Sequence, residues 1–108
     1  MRLLDGCTTD DLLLVVKTLG AAVEVGAPLY NAGDFAACAN IYEGATLDLS
    51  RKVGKRCDGP RRALAAGRKR AAQKPEDFER AWALRDAFDG LIEVIIRRER
   101  ARATPHHK

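Results

Sequence analysis

An all-α fold, a compact bundle of about four helices, is what this chain of 108 residues predicts, and three observations predict it. Ala, Leu and Arg abound while β-branched residues are sparse, so intrinsic propensity favours helix over strand. Apolar residues recur at three- and four-residue spacing in four separate stretches, the signature of helices with one buried face. Between those stretches stand Gly33-Asp34, Asp58-Gly59-Pro60 and Lys74-Pro75, which are stop-and-start signals for helices. A chain of this length forms one domain with a single core, placed at residues 1–103, with residues 104–108 expected as a flexible tail.

The first helix is expected to start after Thr8, because Thr8 and Asp11 have the spacing of a capping box with Asp in place of Glu. Leu12, Val15, Val16, Leu19, Ala22, Val23 and Gly26 then align on one face. Pro28 lacks the amide that would bond the Glu24 carbonyl, so either a bend or two short helices is expected there. Gly33 supplies a left-handed terminus and Asp34 caps the next helix, which makes Gly-Asp a hairpin corner. The second helix is placed at about 35–52, burying Cys38, Ile41, Tyr42, Ala45 and Leu49. The third, about 60–73, has Leu64 as its one large apolar residue and must pack through Ala63, Gly67 and Ala71, with Pro60 in its first turn. The fourth, about 76–101, carries the apolar stripe Phe78, Ala81, Leu84, Phe88, Leu91, Ile92 and Ile95.

Charge is unevenly placed. Residues 1–50 hold seven acids against Arg2 and Lys17, a net of −5, and residues 51–108 hold +9. The basic half suits an acidic partner. On the third helix Arg61, Arg62, Arg68 and Lys69 fall within about a third of the circumference at ~3.6 residues per turn and form a basic face. That face is the expected contact surface if the partner is nucleic acid, bound without sequence preference and with strong salt dependence.

Catalytic signatures are missing from the sequence. It has no phosphate-binding Gly-rich loop, no G-x-S-x-G and no H-E-x-x-H, so no enzymatic activity is expected. His106 and His107 are neighbours in the tail and do not make a metal site; no metal and no cofactor is expected. The odd set Cys7, Cys38 and Cys57 has no C-x-x-C spacing and is read as reduced thiols in a cytoplasmic or organellar compartment, with a Cys7–Cys57 pair as the alternative if two helix ends meet. The apolar runs Leu12–Val16 and Val94–Ile96 are too short to span a bilayer, and no signal peptide is read at the start. Peripheral attachment to a membrane complex stays open. Trp82, the only tryptophan, is expected as a core or interface anchor.

The stretch GAPLYNAGDFAACANIYEGATL resembles one tetratricopeptide-type helical hairpin over about residues 20–52, with Gly26, Leu29, Gly33, Asp34, Phe35, Cys38, Tyr42 and Ala45 in the pattern positions. Pro28 departs from that pattern, and no second copy follows, so a closed bundle rather than a solenoid is implied. In that family the first helix of the hairpin presents peptide-binding residues. The positions that correspond here are Val23, Ala27, Tyr30 and Asn31, which offer an apolar surface rather than a carboxylate clamp. Together with RAWALRDAFDGL the stretch also looks like small helical domains of bacterial and plastid type. The function expected is a helical protein–protein interaction module, an accessory or assembly subunit of a larger complex. The alternatives are a nucleic-acid-associated protein and a bundle holding a small apolar ligand. Candidate contact residues are Tyr30, Asn31, Arg61, Arg62, Arg68, Lys69 and Trp82, and the structural corner is Pro28, Gly33 and Asp34.

Overall fold

Each predicted punctuation mark becomes a helix end in the structure, a computed structural model that describes residues 2–103. The helices are α1 (Thr9–Asn31), α2 (Phe35–Lys52), α3 (Asp58–Ala72) and α4 (Asp77–Ala103), and no strand occurs among the described residues. The fold is therefore an all-α bundle of four helices. The tail with His106 and His107 lies outside the described residues.

Thr8 caps α1 as the spacing requires. Its hydroxyl accepts from the Asp11 amide at 3.0 Å and the Asp11 carboxylate accepts from the Thr8 amide at 3.0 Å, so two otherwise orphaned amides are satisfied. α1 then runs as one helix through Pro28 rather than as two short ones. At its end Gly33 takes φ +87°, the Gly33 amide donates to the Tyr30 carbonyl and the Asp34 amide to the Leu29 carbonyl, both at 2.9 Å. The Asp34 carboxylate accepts the Ala37 amide at 3.2 Å and starts α2. Glycine is needed at this corner because an L side chain at that φ clashes with its own backbone.

Gly26 is small for a different reason. A methyl group there would collide with the ring of Tyr42, so α1 and α2 close against each other through glycine and a buried tyrosine. The same device holds α3, which has little apolar bulk: a Cβ on Gly67 would sit 2.7 Å from the Cβ of Ala87 on α4. α2 and α4 form the centre of the bundle, with α1 packed mainly on α2 and α3 mainly on α4. Between them Leu12, Leu19, Leu49, Leu64, Leu84 and Phe88 are fully buried, and the Tyr42 and Phe88 rings meet at 5.3 Å between centroids. Thr46 is buried as well and satisfies its hydroxyl on the Glu43 carbonyl at 2.7 Å.

Three expectations need correction. Ile41 and Phe78, expected inside, are 37% and 43% exposed. Ile41 points away from α1 and α4 while Ala39 and Thr46 take buried positions, so the stripe on α2 is rotated. Phe78 stands at the first turn of α4, where the bundle has ended and no further helix covers it. The third correction concerns the cysteines: Cys7 and Cys57 form a disulfide, and Cys38 alone is a free, buried thiol. Each bridged cysteine stands just before a helix start, and the packing of α1 on α2 brings those starts together. With the bond in place the thiols no longer argue for a reducing compartment.

α1 is also long and apolar enough to cross a membrane by length and composition, with 23 residues and a mean hydropathy of 1.7 over its best window. In this fold its apolar stripe of Leu12, Val15, Leu19, Ala22 and Gly26 is spent on the core.

Candidate functional site

Antiparallel connectivity brings the end of α1, the start of α2 and the start of α4 to one end of the bundle, and there the aromatic residues gather. Of the six aromatic residues in the chain, Tyr42 and Phe88 lie in the core and the other four form a row in which Phe78 and Trp82 are exposed and Tyr30 and Phe35 half-buried. Phe78 meets Phe35 at 6.0 Å, Phe35 meets Tyr30 at 4.7 Å and Tyr30 meets Trp82 at 5.9 Å, all edge to face. This is the arrangement that aromatic quadrupoles favour, and it fixes the exposed rings of Phe78 and Trp82 on the half-buried Phe35 and Tyr30. Trp82 is 49% exposed although its indole N–H donates to the Tyr30 hydroxyl at 2.8 Å. Because that oxygen accepts from the indole, Tyr30 keeps its own proton to offer to a ligand acceptor.

Beneath the row lies a cleft of about 140 Å³ between α1 and α4, walled by Ala27, Tyr30, Asn31, Ala81 and Trp82, with Tyr42 and Arg85 at its base. Two alanines and the ring faces make it mostly apolar. Its polar groups are tethered: Arg85 Nε donates to the Asp89 carboxylate at 3.0 Å, which stabilises the guanidinium as a cation. Burial pushes the Tyr42 hydroxyl above its usual range, reinforced by the Cys38 thiol and partly offset by Arg85. The volume is on the scale of one side chain. Among the described residues no cluster of His, Cys, Asp or Glu is arranged to hold a metal ion.

Tyr30, Asn31 and Trp82, named separately from sequence, are thus brought together. Val23, from the same set of corresponding positions, does not line the cleft; like Tyr30 it is half-buried and packs against the core. The four basic candidates on α3 are not part of this cleft, and they differ in exposure and partners. Arg61 faces inward: it donates to the carbonyls of Ser50 at 3.2 Å, Val53 at 2.7 Å and Gly54 at 3.2 Å, and pairs with Asp58 at 3.4 Å. It closes the C-terminus of α2, whose orphan carbonyls need donors, and so is a structural cap rather than a contact cation. Arg62 pairs with Asp58, Arg68 is half-buried and Lys69 is exposed.

Arg61 belongs to a cross-linked end opposite the aromatic one. There Asp11 accepts the Gly54 amide at 3.1 Å, tying the start of α1 to the end of α2. The amide bonds from Thr8 and Gly54, with Arg61 nearby, hold the Asp11 carboxyl below its ordinary range against a smaller burial effect. Arg98 donates to the Leu4 carbonyl at 3.0 Å and the Cys7–Cys57 bond closes the same junction. A second, larger groove of about 380 Å³ lies at this end of the bundle between Leu12, Leu13 and Val16 of α1 and Ile95, Ile96 and Ala103 of α4.

Sequence reasoning missed Phe35 and Phe78 as surface residues. The signal was present: Tyr30, Phe35 and Phe78 stand within a turn of a helix end, and Trp82 is one turn beyond Phe78 on α4. The chain matches no protein family, no curated protein and no solved structure.

Proposed function

We propose that this chain is a non-enzymatic helical interaction module that docks a protein partner on the aromatic end, as an accessory or assembly subunit of a larger complex. The observation that carries the reading is the ring row itself. Four aromatic residues held at a surface by edge contacts, two of them close to half exposed, contribute less to the core than buried rings would, and Trp and Tyr are the residues most often found at the energetic centre of interfaces. The adjoining cleft accepts one anchoring side chain. The tetratricopeptide-like hairpin supports the same reading, since Ala27, Tyr30 and Asn31 hold the positions that face a peptide in that family.

Affinity capture from a native extract, run in parallel with the parent chain and with Trp82→Ala and Phe78→Ala, tests the reading. The expected result is a defined partner retained by the parent and lost by both variants while their melting temperatures stay close to the parent's. A partner retained equally by all three chains would place the contact elsewhere.

A further inference from the structure

Resting on that docking surface, we infer that its partner is a cationic amphipathic protein segment, whose apolar residues sit on Trp82 and Phe78 and whose Lys or Arg side chains reach the carboxylates around them. Local charge at this surface runs against the overall charge of the chain. The chain as a whole is +4, yet residues 24–43 carry three acids and no Lys or Arg. Residues 76–89, the part of α4 that bears Phe78 and Trp82, carry five acids against Arg80 and Arg85. Both of those guanidiniums are already taken: Arg80 is bonded to Asp77 at 2.6 Å and lies 3.7 Å from Glu43, and Arg85 is held by Asp89.

Glu24, Glu76 and Asp86 are exposed and make no ion pair among the described residues. Their placement frames the rings. Glu24 lies on the same stripe of α1 as Ala27 and Asn31, one turn below the cleft; Glu76 precedes Phe78; Asp86 is one turn beyond Trp82. On the α3 flank Arg70 and Lys74 share a groove with Phe78, Trp82, Glu79 and Asp86 and balance its acids, so the acidic excess lies on the α1 and α2 side of the rings. An acidic partner would thus meet unpaired carboxylates, at a cost in like-charge repulsion, whereas a cationic one gains ion pairs and can place its cations over the exposed ring faces. The acidic partner expected for the C-terminal half belongs, if anywhere, to the α3 surface and not to this one.

The test uses the full chain and two synthetic helical peptides that share one apolar face and lack Trp and Tyr, one with Lys and Arg on its polar face and the other with Glu. Trp82 is the sole tryptophan, so its emission reports on this surface alone. The cationic peptide is expected to shift that emission and to bind at least about tenfold more tightly than the Glu peptide, with affinity falling as salt is raised. The triple variant Glu24→Gln, Glu76→Gln, Asp86→Asn, with its fold checked by circular dichroism, is expected to lose at least about tenfold of that binding. Equal or tighter binding of the Glu peptide would overturn the inference, as would unaltered binding by a folded triple variant. Failure of both peptides overturns it too. Capture of a native partner that still depends on Trp82 would then leave the docking surface standing, and loss of that dependence would remove both.

Discussion

The two ends of this bundle are built from opposite materials. At one end polar and covalent links join segments distant in sequence: Asp11 to Gly54, Arg61 to three carbonyls before α3, Arg98 to Leu4, and Cys7 to Cys57. At the other end stand a glycine corner, two helix starts and a row of rings that touch edge to face, with Phe78 and Trp82 open to solvent. The first end uses its polar side chains on one another, beside an apolar groove between α1 and α4. The second leaves them available, which is why the contact surface is assigned there and why changes at the two ends should have separable consequences.

The largest effect on stability is expected from the disulfide. It closes a loop with a sequence separation of 50, for which chain entropy gives about 4 kcal/mol. Reduction, or Cys7→Ser with Cys57→Ser, should lower the urea midpoint strongly, and unchanged unfolding would mean that the junction is held by its hydrogen bonds alone. Next comes Arg61→Ala, expected to cost about 1–3 kcal/mol because three α2-terminal carbonyls lose a charged donor. Arg61→Lys should restore only part, since one ammonium cannot reproduce the fork of the guanidinium. Urea titration of both variants decides it.

Acid sharpens the comparison from another side. The folded-state pKa of Asp11 is depressed below its ordinary 3.8, so its contribution is fully present above that value and lost as pH falls through the lower, folded one. Asp11→Asn should therefore flatten the fall in stability as pH drops below about 4, measured by urea midpoints on either side of that pH. A slope identical to the parent's would show that the carboxylate does not hold the Thr8 and Gly54 amides in solution.

How much of this was legible beforehand follows from which interactions are local. The capping box at Thr8 and Asp11, the corner at Gly33 and Asp34, and Pro60 in the first turn of α3 are written within four residues of each other, and they set the helix ends to within a residue or two. The buried glycine at 67 was read from the shortage of bulk on α3. Arg61 was misread because its acceptors belong to the preceding helix end: from sequence it looks like one more member of a basic face. Phe78 was misread because helical periodicity continues to the last turn while the bundle does not. The disulfide depends on two helix starts meeting, which spacing along the chain cannot specify.

The smallest effect on folding, and the largest on association, is expected at Trp82. Its exposed half contributes little to the isolated domain, and loss of the Tyr30 bond costs about 1 kcal/mol or less. The most direct test of the account is the partner dissociation constant of Trp82→Ala beside that of Arg61→Ala, both taken at a temperature where each variant is folded. The account predicts at least about a thirtyfold loss of affinity for Trp82→Ala, the roughly 2 kcal/mol of an interface hot spot, and little change for Arg61→Ala. Affinity unchanged in Trp82→Ala and lost in folded Arg61→Ala would contradict it, and would move the contact surface to the cross-linked end.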